Sequence, residues 1–292
     1  MLPSRQHHFW MISRRLNVTL WALKLALSII LTTSQISYAQ RLEPYRCGSA
    51  LEDARCLLRK VFEYGKLGER LKSLPAPLED LIGQPVLIAT QSFRTYLTAR
   101  GIDEYDLGGG FFEPLSKTPR GDSADYLVIH DTSTPVYKHN EEFPSMINES
   151  VWNQTLLQSL VRKQNAHVFI DRTGRSKTAI DFASPLRTTL FEREQERSRR
   201  GLFLGVELIQ PRKFDARGID ATAPRPGFTE AQLDRLALTY IAASIRRGTW
   251  MIPAFHAAID GGLHNAHDDP QNFDLSIWAQ RLYLLLDTIS KH

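Results

Sequence analysis

Three short apolar runs, residues 126–130, 166–171 and 203–209, are separated by stretches whose apolar residues recur at helical spacing. Runs this short suit strands better than helices, and their near-continuous apolar character suits strands buried on both faces. Strands alternating with helices restrict the chain to an α/β fold, a central mixed, mostly parallel β-sheet flanked by helices. Residues 151–163 read as one such helix, with Leu156, Leu157, Leu160 and Val161 inward. Thr173-Gly174 marks a turn after the second run, and residues 177–182 are expected to return beside it. Residues 191–200 are nearly all charged and are expected to be a solvated surface segment. Thr229-Glu-Ala-Gln232 is a capping box. It opens a helix that carries Leu233, Leu236, Ala237, Tyr240 and Ile241 on one stripe and ends at Gly248. A last amphipathic helix spans residues 274–289 through Leu275, Trp278, Leu282 and Leu285.

The N-terminal part reads differently. Arg5, Arg14, Arg15 and Lys24, the apolar stretch Leu25-Ala-Leu-Ser-Ile-Ile-Leu31 and the small-x-small site Ser37-Tyr38-Ala39 have the order of an export signal. The apolar stretch is short for a membrane span, so no stable membrane insertion is expected once the signal is removed; an uncleaved anchor is the other reading of the same residues. Ser13-Arg14-Arg15 has a twin-arginine element, with Asn17 where an aromatic is usual. The expected organisation is a signal peptide over 1–39, a helical accessory segment over 40–121 and a catalytic domain over 122–292.

In the accessory segment, residues 50–71 start as a helix through Leu51, Ala54, Leu58, Val61 and Phe62. A second helix is expected over 90–100, with Phe93, Tyr96 and Leu97 on one face and Gly101 as its stop. Gly108-Gly109-Gly110 lacks the following lysine and helix of a phosphate cradle and reads as a loop.

The whole chain has 36 basic and 32 acidic residues. All four basic residues of the signal lie outside the mature part, which leaves the two signs balanced there. No basic patch with interleaved aromatics occurs, which argues against a nucleic-acid partner. Cys47 and Cys56 are the only cysteines, and both lie in the exported part. Nine residues of continuous helix would separate them by roughly 13 Å, while a disulfide needs Cα atoms within about 7 Å. Pairing therefore requires the chain to turn between them, as it would if the helix began near Ala50.

The chemistry concentrates at strand ends and in the tail. His130 closes the apolar run Tyr126-Leu-Val-Ile-His130, where a histidine serves either the fold or a cleft. Glu207 lies inside Leu204-Gly-Val-Glu207-Leu208, and a carboxylate among apolar residues either pairs or transfers protons with a raised pKa. The tail from Phe255-His256 to Asp269-Pro270-Gln271-Asn272-Phe273 also contains His264, His267 and Asp268. His130 with a histidine and an aspartate of that tail makes a set of two imidazoles and one carboxylate. Zinc accepts that set while keeping a fourth position open for catalysis.

Over residues 122–290 the chain resembles the zinc-dependent N-acetylmuramoyl-L-alanine amidases related to peptidoglycan recognition proteins. Tyr126-Leu-Val-Ile-His130 resembles their first ligand strand, and Ala166-His167-Val-Phe-Ile-Asp-Arg-Thr-Gly174 their second strand and hairpin. Leu204-Gly-Val-Glu207-Leu resembles the strand of the catalytic glutamate, Phe228-Thr-Glu-Ala-Gln232 a helix start, and Asp269-Pro270 with Phe273 the terminal element. The resemblance implies a zinc ion (Zn2+) on His130, His256 and Asp269, with Glu207 as general base. His167 would be structural or cleft-lining. It also implies cleavage of the amide between N-acetylmuramic acid and L-alanine, in peptidoglycan or soluble muropeptides, in the periplasm or outside the cell.

This sequence departs from the family at several places. Gln271 replaces a usual glycine, the segment between His256 and Asp269 is longer, and Arg187-Thr188-Thr189 stands nearest a missing Trp-His-Ala-Gly stretch. His267 takes the place of a common lysine, which implies a catalytic role in stabilising the oxyanion. Two other readings use the same residues: a peptidoglycan-binding module that does not cut, and a zinc peptidase acting on the stem peptide.

Overall fold

The computed structural model describes residues 45–194 and 197–291. The expected export signal and its cleavage site lie outside the described residues. From Tyr45 onward the chain forms one unit. Helix α1 (Ala50–Leu57) follows Ser49, whose hydroxyl and the Glu52 carboxylate complete a capping box. Cys47 and Cys56 are joined, with Cα atoms 6.5 Å apart. The helix begins three residues after Cys47, so the chain turns before it as the spacing required.

The helix expected over 50–71 stops at Leu57. Leu58 is buried, and the chain then folds back. The Leu71 N–H donates to Arg55 O (3.0 Å) and the Gly68 N–H to Lys60 O (2.7 Å). Beyond Phe62 the apolar residues left to bury are Leu67 and Leu71, and folding back lays both against the main core. A straight helix would carry them away from it. The reversal turns through Tyr64 (φ 60°) and Gly65 (φ 73°). Helices α2 (Ala76–Leu81) and α3 (Thr90–Ala99) follow. The latter buries Phe93, Tyr96 and Leu97 as its spacing predicts.

Strand β1 (Tyr126–Asp131) is buried along its whole length. After the two-residue β2 (Val136–Tyr137), helix α4 (Ser150–Val161) leads to β3 (Val168–Ile170) and its antiparallel neighbour β4 (Ser176–Thr178). A short α5 (Leu190–Glu194) precedes β5 (Phe203–Leu208). Next come β6 (Arg212–Phe214), β7 (Ala221–Thr222) and the long α6 (Glu230–Arg247). Thr229 caps α6 with Gln232, and Gly248 at φ 81° ends it. Strand β8 (Ile252–Phe255), helix α7 (His256–Ile259) and helix α8 (Leu275–Ile289) complete the chain. None of the described helices is long and apolar enough to cross a membrane.

The main sheet has the order β4-β3-β5-β1-β8. Strands β3, β5, β1 and β8 run parallel, and only β4 is reversed. The expected mixed, mostly parallel sheet is therefore present. Strand β8 is a piece the sequence reading did not mark, because Pro253 removes a ladder donor. As an edge strand, β8 tolerates it. β2, β6 and β7 form a separate small sheet.

The segment 191–200 is not simply a solvated surface. Phe191 and Glu192 are fully buried, while Arg193, Glu194, Arg197 and Arg200 are exposed. Phe191 packs edge-on against Tyr45 (centroids 5.1 Å). The Glu192 carboxylate accepts the backbone N–H groups of Thr188 (2.8 Å) and Thr189 (3.2 Å). Charge density on its own hides residues whose partners are backbone groups. Tyr45, Leu57, Leu58, Val61 and Phe93 share one core with the sheet, so residues 45–121 pack as part of the same body.

His167 ties the hairpin to β5. Its Nδ1 accepts the Gly205 N–H (3.0 Å), and Nε2 stands 3.1 Å from Ser184 O, which fixes the neutral ring with its proton on Nε2. Burial lowers its pKa to about 4. A histidine whose folded pKa is depressed contributes stability above its unfolded pKa of about 6.5 and loses it as pH falls toward 4. The full effect is on the order of 3 kcal/mol. Urea denaturation of the protein and of His167→Gln should show the wild-type advantage shrinking between pH 7 and pH 4. A constant difference over that range would show that the buried neutral ring is not its source.

Candidate metal centre

Parallel pairing decides what meets at the carboxyl ends of the strands. His130 on β1 lies in register with Glu207 on β5, so both side chains leave the same face of the sheet. Ile129 is opposite Phe255 on β8, and His256 follows directly as the first residue of α7. Asp269 arrives from the segment between α7 and α8.

The Nδ1 atoms of His130 and His256 are 2.9 Å apart. His256 Nδ1 lies 3.0 and 3.3 Å from the two Asp269 oxygens, and His130 Nδ1 is 3.7 Å from Asp269 Oδ2. All three residues are buried. The three expected ligands are thus brought to one point, and their donor atoms form a group able to hold a metal ion. Tetrahedral sites with metal–nitrogen distances of 2.0–2.1 Å place neighbouring donors about 3.3–3.4 Å apart. The observed separations bracket that spacing, and the donor set of two imidazoles and a carboxylate suits zinc.

Electrostatics around the group is strongly uneven. Burial, together with the neighbouring His256, lowers His130 to a pKa of about 3, so its ring is neutral. Burial also opposes charge on His256, but Asp269 and Asp260 outweigh it and raise that ring to about 10. Burial and the nearby Asp269 carboxylate push Glu207 up to about 8. Glu207 Oε2 and His130 Nε2 are buried side-chain atoms with no hydrogen-bond partner. Polar atoms buried at a cost and left unpaired suit a site completed by something further.

A second set of residues steadies this arrangement. The Asp131 N–H donates to Asp269 Oδ2 (3.1 Å), which ties the ligand carboxylate to the end of β1. The Asp131 carboxylate receives the Arg212 fork through Nη2 (2.7 and 2.9 Å) and the Gln271 N–H (3.1 Å). Arg212 and Asp131 are both sealed from solvent. Gln271 is also fully buried. It donates to Asp268 (2.6 Å) and accepts the Ala223 N–H (3.2 Å). The longer His256–Asp269 connection contains α7 and Asp260. Asp260 Oδ2 is 3.0 Å from His256 Nε2 and 2.7 Å from His267 Nδ1. His267 is half-exposed, and its ring stacks on His256 with centroids 3.9 Å apart. His264 is exposed and Asp268 partly exposed.

The sequence reading missed Asp260, Asp131 and Arg212. Asp260 had a local signal, its i,i+4 spacing from His256 on one helical face. Asp131 and Arg212 had none, since their pairing is made between distant strands. The lead-in also reaches this region. A Cβ on Gly65 would lie 2.8 Å from Asp268 Cβ, so that turn sits directly against the segment carrying Asp269. An open cleft of about 1020 Å³ lies elsewhere, lined by Phe62, Arg225, Phe228, Phe273 and Ile277, and contains none of the three donors.

No protein-family profile matches the chain, and no curated protein matches it. Among solved structures it is similar to the Ph2119 endolysin from Thermus scotoductus MAT2119 bacteriophage Ph2119. That overlap has 14% identity and a TM-score of 0.33, and covers 59% of this chain and 90% of the endolysin. It is also similar to a selenomethionine derivative of AmpD, at 17% identity and a TM-score of 0.34, over 62% of this chain and 98% of the other.

Because His256 holds a proton up to about pH 10 in the metal-free protein, a metal ion must displace that proton to bind. Zinc affinity should therefore rise with pH across the neutral range, with proton release on binding. Titration calorimetry in two buffers of different ionisation enthalpy measures both. His130→Ala should abolish uptake. Unchanged zinc stoichiometry in that variant would remove His130 from the ligand set.

Proposed function

We propose that this protein is an exported zinc-dependent N-acetylmuramoyl-L-alanine amidase. Its substrate is peptidoglycan or its fragments, and it opens the amide between the lactyl group of N-acetylmuramic acid and the L-alanine of the stem peptide. The observation that carries this reading is the convergence of His130, His256 and Asp269 with Glu207 in register beside His130. The motif resemblance in the sequence supplies the choice of amide. The export signal expected over residues 1–39 would put the enzyme on the side of the membrane where its substrate lies.

Zinc held by the three donors would act as a Lewis acid toward the scissile carbonyl and toward water. Glu207 supplies the proton traffic. Its carboxylate accepts a proton from the attacking water and later delivers it to the amine nitrogen as the carbon–nitrogen bond breaks. The products are the lactyl carboxylate and a stem peptide with a free alanine amino group. Burial keeps the Glu207 proton affinity high enough for the second transfer. A cation beside Asp269 would offset that neighbour's charge and favour the carboxylate needed for the first. His130 and His256 orient, and the Asp131–Arg212 pair keeps Asp269 in place. His267, anchored to Asp260 through Nδ1, leaves Nε2 at the far edge of its ring to meet the developing oxyanion.

Mass spectrometry of purified peptidoglycan after digestion tests the reaction. Stem peptides beginning with a free L-alanine and glycan retaining the lactyl carboxylate are expected. New ends inside the stem would make the protein a peptidase, and an unchanged wall would make it a binding module. In the same assay Glu207→Gln should keep its zinc and lose about 10²–10⁴-fold in turnover.

His267→Lys should retain turnover, since an ammonium can also donate to an oxyanion, and His267→Ala should lower it with zinc still bound. Turnover of zinc-loaded His267→Ala that matches wild type would remove His267 from the chemistry.

A further inference from the structure

The sequence resemblance provides for three ligands and a glutamate, but it has no counterpart for the carboxylate behind His256. Asp260 is fully buried at the end of α7. Its Oδ1 accepts the Phe191 N–H (3.0 Å), and Oδ2 lies within 3.3 Å of the Leu190 N–H, at the start of α5. Those contacts alone would make it a helix anchor. Oδ2 also faces His256 Nε2 at 3.0 Å and His267 Nδ1 at 2.7 Å, so one carboxylate joins two backbone donors and two imidazoles.

A neutral imidazole carries one proton. For His256 to offer the Nδ1 lone pair to a metal, the proton must sit on Nε2, and a buried N–H requires an acceptor. Asp260 Oδ2 is the carboxylate oxygen in reach, 3.0 Å from Nε2 but not aligned as a hydrogen bond in the metal-free geometry, so a turn of the ring completes the bond. His130 Nε2 and His256 Nε2 are both buried without an aligned hydrogen-bond partner among the described residues, and of the two it is His256 Nε2 that has a carboxylate oxygen 3.0 Å away. The two rings of the centre therefore differ in the carboxylate that stands behind His256.

His256, Asp260 and His267 also have the composition of a second metal site. Their rings argue against it. They stack with centroids 3.9 Å apart and planes only 24° from parallel. Lone pairs lie in the ring planes, so two nearly parallel stacked rings do not aim them at a common ion. In that geometry Asp260 Oδ2 is hydrogen-bonded to His267 Nδ1, and a chelated metal does not fit.

We infer that Asp260 is a positioning residue for the metal centre, accepting the Nε2 proton of His256 so that Nδ1 faces His130 and Asp269, and fastening that ring to the backbone of α5. The inference rests on the reading that those three residues hold zinc. Ligand-orienting carboxylates of this kind are worth about 10–100-fold in metal affinity.

The test is zinc affinity by competition with a chelator, measured well below the melting midpoint of each metal-free protein. Asp260→Asn keeps an oxygen for the Phe191 N–H, so its metal-free melting midpoint should stay close to wild type while affinity falls about 10-fold. Asp260→Ala should lose up to about 100-fold. In ¹⁵N spectra of the zinc-loaded wild type, His256 should show a protonated Nε2 and a metal-bound Nδ1. The protected Nε2 proton should exchange faster in Asp260→Asn. Wild-type affinity in Asp260→Asn with an unchanged Nε2 proton would overturn the positioning role and leave the metal centre standing. Failure of the wild type to bind zinc would overturn the metal centre and this inference with it. If Asp260→Ala does not fold, Asp260→Asn decides.

Discussion

The site depends on the parallel alignment of β1 between β5 and β8. Because β1 is hydrogen-bonded on both sides, its register sets which residues emerge together at the carboxyl edge of the sheet. His130 falls beside Glu207, and β8 ends where His256 begins. A one-residue slip of β1 would turn His130 to the opposite face and put Asp131 in its place. In the correct register, Asp131 points away from the donors and meets Arg212, while its own N–H reaches Asp269. A single strand thus gives one candidate donor directly and holds another through its backbone. Removing one partner of a buried pair such as Asp131–Arg212 typically costs 3–5 kcal/mol, which makes the pair a firm point from which to hang Asp269.

The charges around that point explain why the centre suits a cation. Asp131, Asp260, Asp268, Asp269 and Glu207 lie around three imidazoles, those of His130, His256 and His267, and one guanidinium. In the metal-free protein, protons make up the difference. His256 keeps its second proton to about pH 10 and Glu207 its proton to about pH 8, both against the preference of an exposed group. Burial is the largest influence on each, but it acts with the carboxylates on Glu207 and against them on His256. A site that recruits protons into a low-dielectric interior has a negative surplus that a divalent ion can relieve.

Strands β1 and β5 and the caps of α6 were legible in the sequence because their signals are local: apolar runs, a capping box, a terminal glycine. His130, Glu207, His256 and Asp269 stood out for a related reason, as polar residues at the ends or inside of apolar runs, or in a dense His/Asp tail. Where the reading went astray, the deciding contact was distant in sequence. Pro253 obscured β8 because its tolerance depends on an edge position in the sheet. The charged stretch around Glu192 concealed a carboxylate satisfied by Thr188 and Thr189 N–H groups. The helix begun at Ala50 was cut short by a fold-back whose reward, burial of Leu67 and Leu71, exists only once the core is assembled. Asp260 and Arg212 belong to the same class, since each acquires its role from partners on other elements.

The lead-in segment is joined to the metal centre by packing at two places. The turn at Gly65 lies against Asp268, one residue before Asp269, where a side chain on Gly65 would collide with that segment. On the other side, Tyr45 packs into the ring cluster of Tyr126, Phe191 and Phe203. Phe191 in turn gives its N–H to Asp260. The Cys47–Cys56 bond closes the loop just after Tyr45, and the buried Asp53 of α1 accepts the Tyr126 hydroxyl (2.8 Å) at the start of β1. Residues 45–67 therefore brace both the strand that carries His130 and the carboxylate behind His256. A domain cut at the apparent boundary near residue 121 would retain every donor atom and lose part of the frame that aims them.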